Sequence, residues 1–131
     1  MCSTRGQKLA RILVVEDDSS LSKALIDALS FKGHAAELAQ TGAETQEQLQ
    51  FETFDIMLLD WILPDIEGIE ILKNYREKGG TMPVIMLTGM TENELHDRAI
   101  ATGATLCLAK PFTLKKLIST IDSVLAQVAS P

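Results

Sequence analysis

In this 131-residue chain, four short apolar runs end in side chains able to do chemistry. Glu16, Asp17 and Asp18 follow ILVV, Asp60 closes DIMLLD, Thr88 closes PVIMLT, and Lys110 follows TLCLA. Singly, each has an ordinary use: Asp17 or Asp18 as a helix cap, Asp60 as a loop opener, Thr88 as a turn hydroxyl, Lys110 as a solvated charge. Together they interact. Two unpaired carboxylates about 4–5 Å apart repel by roughly 3–4 kcal/mol at an effective dielectric near 20, so converging acids call for a cation. Mg2+ meets that demand as a hard ion taking carboxylate, water and phosphate oxygens. Zn2+ does not fit, because His34, His96, Cys2 and Cys107 have no zinc-like spacing. A carboxylate beside Mg2+ and opposite a lysine is suited to attack phosphorus, since both cations can hold the oxygens whose charge must be stabilised during transfer. The Thr88 hydroxyl can donate one more hydrogen bond to that group.

The elements that must position these residues are written around them. Residues 11–16, 55–60 and 83–88 are continuous apolar runs, the mark of parallel strands buried on both faces; 105–109 is a further strand and 34–40 a weaker one. Helices fill the gaps. Ser19 and Ser20 can cap the first, whose Leu21, Ala24, Leu25, Ala28 and Leu29 form one stripe before Gly33 stops it. Thr41-Gly42 opens a polar helix ending near Phe51, with Leu49 its apolar anchor. Ile69, Leu72 and Tyr75 support a third, ended by Gly79-Gly80, and residues 91–102 a fourth, with Leu95 and Ala99 inward and Gly103 its stop. Leu114, Leu117, Ile118, Ile121, Val124, Leu125 and Val128 carry the last. Five alternating strand–helix units imply an α/β fold, a doubly wound five-stranded parallel sheet, because right-handed crossovers place helices on both faces. Such sheets gather functional groups beyond the carboxyl ends of their strands, where all four runs end.

Composition narrows the class. The length suits one domain of about 100–150 residues, expected over residues 10–128, with a flexible segment 1–9 and a tail 129–131. A net charge of -6 disfavours direct nucleic-acid binding, which relies on concentrated Lys and Arg. Two cysteines make no disulfide framework, and no segment reads as an export signal or membrane span, so a reducing, cytoplasmic setting without membrane contact is expected.

With these residues in view, the chain resembles the receiver domain of two-component response regulators across residues 11–126. Glu16-Asp17 after ILVV, Asp60 in LLDWILPDIEG with Pro64 and Gly68 following, Thr88 after VIML, and Lys110-Pro111-Phe112 carry the resemblance. It implies a flavodoxin-like, chemotaxis-regulator-like (βα)5 fold with strand order 2-1-3-4-5. It also implies that Asp60 is the phosphoacceptor, that Asp17 and Asp60 ligate Mg2+ directly, with Mn2+ a substitute, that Glu16 acts largely through water, and that the Ile62 backbone carbonyl supplies another ligand. By the same resemblance Asp18 starts a helix, Lys110 pairs with the aspartate or its phosphate, Thr88 turns inward to the phosphoryl oxygen, and the Lys110-Pro111 peptide is often cis. The implied donor is a phosphohistidine on a histidine kinase or histidine phosphotransfer protein. The domain would then be a signalling switch that catalyses its own phosphorylation and dephosphorylation, rather than an enzyme. The face of the fourth helix, fifth strand and fifth helix, with Asp97, Arg98, Lys115 and Lys116, would serve an effector, in a monomer or weak phosphorylation-dependent dimer.

One position departs from that pattern. Receivers usually place Tyr, Phe or His three residues before the lysine, as a ring that follows the threonine; here Cys107 stands there, with neither the volume nor the ring. It reads as an inert, small core residue rather than a redox sensor. Trp61 is expected to be partly exposed beside the site, and His34 and His96 to be surface or edge residues. A phosphatase with an Asp nucleophile would want a second Asp where Ile62 stands, and a nucleotide or flavin binder a Gly-rich turn where residues 16–20 read EDDSS. The alternatives kept open are a phosphorylation-independent interaction module with the receiver fold, and a receiver excised from a longer regulator or hybrid kinase.

Overall fold

The computed structural model describes residues 9–89 and 93–129. Strands β1 (Arg11–Val15), β2 (Ala35–Ala39), β3 (Ile56–Asp60), β4 (Val84–Thr88) and β5 (Leu106–Ala109) alternate with helices α1 (Ser19–Phe31), α2 (Gly42–Phe51), α3 (Gly68–Glu77), α4 (Asn93–Thr102) and α5 (Leu114–Ala129). All the strands are parallel, in the order β2-β1-β3-β4-β5, as expected.

The period-2 alternation of each strand sorts its residues onto two cores. Leu13, Val15, Met57, Leu59, Val84 and Met86 face Ile69 and Leu72 of α3 and Ala99 of α4, with Leu49 of α2 and Leu95 of α4 against their edge. Ile12, Val14, Ile56, Leu58, Ile85 and Leu87 face Leu25 and Leu29 of α1 and Leu117, Ile121, Val124 and Leu125 of α5. The interior strands are apolar without interruption because both their faces are covered.

Several boundaries differ from the sequence reading, each for a local reason. β1 stops at Val15, leaving Glu16 beyond the strand. Pro83, without an N–H, precedes β4, and Asp55 stands before β3 with its carboxylate accepting from the Arg11 N–H at 2.8 Å. Of the caps the sequence offers for α1, Asp18 takes the place rather than Ser19 or Ser20, as the resemblance implied, accepting from the Leu21 N–H at 3.0 Å. α5 runs through Ala129, into the expected tail. α4 is described from Asn93; Thr91, like residues 1–8 of the expected flexible segment and residues 130–131 of the tail, lies outside the described residues. Gly33 takes φ 93° where the chain leaves α1, a left-handed turn that favours glycine.

The expectations for Trp61 and His34 are corrected. Trp61 is 2% exposed, a member of the first core, with the Arg98 guanidinium 5.9 Å from its ring centroid. His34 is buried because its Nδ1 accepts from the Ala10 N–H at 3.1 Å, joining the entries to β2 and β1. His96 is half-buried, and its Nε2 is enclosed with no hydrogen-bond partner among the described residues. Among those residues no helix is long and apolar enough to cross a membrane.

Candidate functional site

The carboxyl ends of β1, β3, β4 and β5 meet at one edge of the sheet. Glu16 follows β1, where its N–H donates to the Ala39 carbonyl at 3.0 Å, and its side chain is buried. Its Oε2 accepts from the Asp18 N–H at 3.1 Å and its Oε1 from Lys110 Nζ at 2.8 Å. Asp60, the buried last residue of β3, lies 3.2 Å through Oδ2 from the same Nζ, and its Oδ1 accepts a long 3.4 Å bond from the Ile62 N–H. Asp17 is exposed, and carboxylate oxygens of Glu16, Asp17 and Asp60 lie within 4.8 Å of one another.

Backbone contacts hold this edge together. The Trp61 N–H donates to the Leu87 carbonyl at 2.9 Å, and the Gly68 N–H to the Trp61 carbonyl at 2.6 Å. Gly68 is required there, since a Cβ would stand 2.1 Å from the Asp60 carbonyl oxygen. The Lys110 N–H donates to the Thr88 carbonyl at 2.7 Å, and the Lys110-Pro111 peptide is cis.

Charge is unbalanced, with three carboxylates around one ammonium. Burial pushes the Asp60 carboxyl up to about 6, with help from a hydrogen bond to Glu16 and its charge, and against the pull of Lys110. Burial lowers the Lys110 ammonium, but hydrogen bonding to Glu16 and the charges of Asp60 and Glu16 outweigh it and leave it above the ordinary lysine value. An all-oxygen donor set with surplus negative charge, open to solvent at Asp17, fits a hard divalent cation.

Glu16, Asp17, Asp60 and Lys110 are therefore brought together. Thr88 borders the group through its backbone and is itself buried at the end of β4. Cys107 stands apart: it is in register with Met86, half-buried against the core under α3 and α4, and burial pushes its thiol up. Sequence reasoning missed Asp65, whose carboxylate accepts from the Gly42 and Ala43 N–H groups at 2.8 and 3.0 Å. It also missed Arg11, which pairs with Glu37 and Glu52 across β2 and the end of α2. Both bind residues distant in the chain and leave no local pattern.

A 2-1-3-4-5 parallel sheet with a carboxylate cluster and a cross-strand lysine at its carboxyl edge defines the receiver class of signalling domains. Residues 12–122 match the family model of the response regulator receiver domain, and the chain belongs to that family. It is 37% identical over 123 residues to a transcriptional regulatory protein CpxR homolog of Haemophilus influenzae, covering 94% of this chain and 53% of that protein. It is 35% identical to the phosphate regulon transcriptional regulatory protein PhoB of Rhizobium meliloti, covering 89% of this chain and 52% of that one. The chain thus spans about half the length of these curated relatives. Among solved structures, a CheY-like receiver domain protein of Methanospirillum hungatei superposes with a TM-score of 0.85 at 32% identity, over 92% of this chain and 96% of that one. The Francisella response regulator 1452 receiver domain does so with a TM-score of 0.86 at 25% identity, over 92% and 99%. Response-regulator receivers are phosphorylation-dependent switches that work with histidine kinases or phosphotransfer proteins and bind Mg2+ at an acidic pocket.

Proposed function

We propose that Asp60 accepts a phosphoryl group from the phosphohistidine of a histidine kinase or histidine phosphotransfer protein, and that the charge it gains is the signal. The observation that carries this reading is Asp60 at the end of β3, buried, with Lys110 Nζ at 3.2 Å and Glu16 and Asp17 beside it. An Asp60 carboxylate oxygen attacks phosphorus; the bond from phosphorus to the imidazole nitrogen breaks with its electron pair going to the histidine. With its carboxyl at about 6, Asp60 is mostly ionised near neutral pH and ready as nucleophile.

Glu16, Asp17, Asp60 and the Ile62 backbone carbonyl would hold Mg2+, or Mn2+ in its place. Bound there, the cation supplies positive charge for the phosphoryl oxygens during transfer. Lys110 exchanges its contact with Asp60 for one with a phosphoryl oxygen while keeping Glu16, and the Thr88 hydroxyl donates to another. Phosphorylation puts about 1.5 to 2 negative charges where the carboxylate had one, so the ends of β4 and β5 must rearrange to supply donors.

The output runs through α4, β5 and α5, where Asp97, Arg98, Lys115 and Lys116 are exposed. Thr88 and Cys107 take the switch positions, Cys107 without the ring that would follow the threonine. The domain acts in the cytoplasm as a monomer or weak phosphorylation-dependent dimer, alone or as part of a longer regulator or hybrid kinase, and removes its own phosphoryl group.

The test is intact mass before and after incubation with acetyl phosphate and Mg2+, beside Asp60→Asn and a chelator control. One hydroxylamine-labile phosphoryl group, absent from both controls, is expected. No gain from acetyl phosphate, phosphoramidate or a kinase panel, in a folded Mg2+-binding protein, would instead assign a phosphorylation-independent interaction module, the reading that Cys107 leaves open.

A further inference from the structure

Asp65 has no part in the chemistry above, yet its carboxylate reaches out of its loop to another element. Its Oδ1 accepts from the Gly42 N–H at 2.8 Å and its Oδ2 from the Ala43 N–H at 3.0 Å, the first amides of α2. That helix already has a cap of its own, Thr41 Oγ1 accepting from the Glu44 N–H at 3.0 Å. A carboxylate here also meets the positive end of the helix dipole, and hydrogen bonding to Gly42 holds the Asp65 carboxyl below its usual range. Ile66 closes the contact: a Cβ on Gly42 would fall 2.1 Å from Ile66 Cγ2, so only glycine lets the loop seat this closely on the helix.

The segment between β3 and α3 is thus tied at its base and at its tip. At the base the Gly68 N–H binds the Trp61 carbonyl; at the tip Asp65 and Ile66 bind α2. Ile62 lies between these ties. Its side chain is 61% exposed and, among the described residues, its N–H makes only the long 3.4 Å bond to Asp60, while an antiparallel bridge to Glu67 ties its backbone across the loop, so its carbonyl is placed by the ties of the loop rather than by side-chain packing. The helix that receives the tip is anchored beside the acids, because the Ala39 carbonyl at the end of β2 accepts from the Glu16 N–H.

We propose that Asp65 is a positioning residue for the cation site: by clamping the loop tip to α2 it fixes the Ile62 carbonyl relative to Asp60 and so sets the affinity for Mg2+. This rests on the assignment of Glu16, Asp17, Asp60 and the Ile62 carbonyl as Mg2+ ligands. A ligand on an unclamped loop must be ordered on binding, and that ordering weakens affinity without changing any ligand.

Calorimetric titration with Mg2+ compares wild type, Asp65→Ala, Asp65→Asn and Thr41→Ala. Asp65→Ala should raise the Kd at least about fivefold, and Asp65→Asn, which keeps one acceptor oxygen, should fall between it and wild type. Thr41→Ala removes the other cap of the same helix without touching the loop, and its Kd should equal that of wild type. In wild-type protein the Gly42 and Ala43 amide resonances should shift during the titration, a readout needing no variant. A Kd for Asp65→Ala within twofold of wild type, an equal loss in Thr41→Ala, or immobile Gly42 and Ala43 resonances would each overturn the clamp while leaving the Mg2+ site intact. Wild-type protein that binds no Mg2+ would overturn the ligand assignment itself, and the clamp with it.

Discussion

Replacing Asp60 by Asn should make the metal-free protein more stable at neutral pH, although it removes the residue on which the proposed chemistry turns. The Asp60 carboxyl is raised from 3.8 to about 6, chiefly by burial and then by Glu16. A group whose folded pKa is raised contributes most below its unfolded value, and that contribution is lost as pH rises through the folded value. Stability should therefore decline between about pH 4 and pH 6 and level off above. A shift of this size corresponds to about 3 kcal/mol at pH 7, and solvent reaching the site through Asp17 reduces it to about 1–2 kcal/mol. Asn keeps the shape without the charge, so Asp60→Asn should melt about 3–8 °C higher at pH 7 in chelator. The advantage should fade near pH 4, where the wild-type carboxyl is neutral. It should also shrink as Mg2+ is added, because a cation that binds only the native wild type stabilises it by mass action. Calorimetric melts at pH 4 and 7, with chelator and with Mg2+, provide the assay. An Asn variant no more stable than wild type at pH 7, or an advantage unchanged at pH 4, would refute the charge argument.

Two further outcomes follow from the same geometry. Lys110→Ala leaves Glu16 and Asp60 without their shared ammonium, and phosphorylation by acetyl phosphate, timed by intact mass, should slow about 100-fold, the usual effect of losing one donor to a developing charge. Gly68→Ala places a methyl group 2.1 Å from the Asp60 carbonyl oxygen; chemical denaturation should show a loss of about 1–3 kcal/mol, against the small gain such a change gives in an open helix.

The core of the site was legible because parallel topology does the bringing together. Once ILVV, DIMLLD, PVIMLT and TLCLA are recognised as adjacent strands, their ends must meet, and Glu16, Asp17, Asp60 and Lys110 meet as the order requires. Boundaries were less legible: Asp18, Ser19 and Ser20 are consecutive residues of equal capping aptitude, and hydrogen-bond geometry rather than residue type decides between them. Trp61 looked like the opening of an exposed loop, but the close return of the chain at Gly68 and the Arg98 guanidinium over the ring enclose it. His34 looked peripheral because its partner is the Ala10 backbone N–H, which a sequence does not display. Asp65 was hidden by distance, since its partners begin an element and stand 23 and 22 residues earlier.

The site is supported unequally. Glu16, Asp17 and Asp60 issue from β1 and β3, each with a strand on both sides, whereas Lys110 follows β5, which among the described residues has only β4 beside it in the sheet. Interior strands open only with the whole domain, while an edge strand of four residues, mostly half-covered, has a much lower cost of local opening. The acids are thus set in the stiff part of the molecule and their counter-charge on a compliant margin. On the function proposed above, a change of charge at Asp60 would meet an anvil on one side and a spring on the other, and motion would leave through β5.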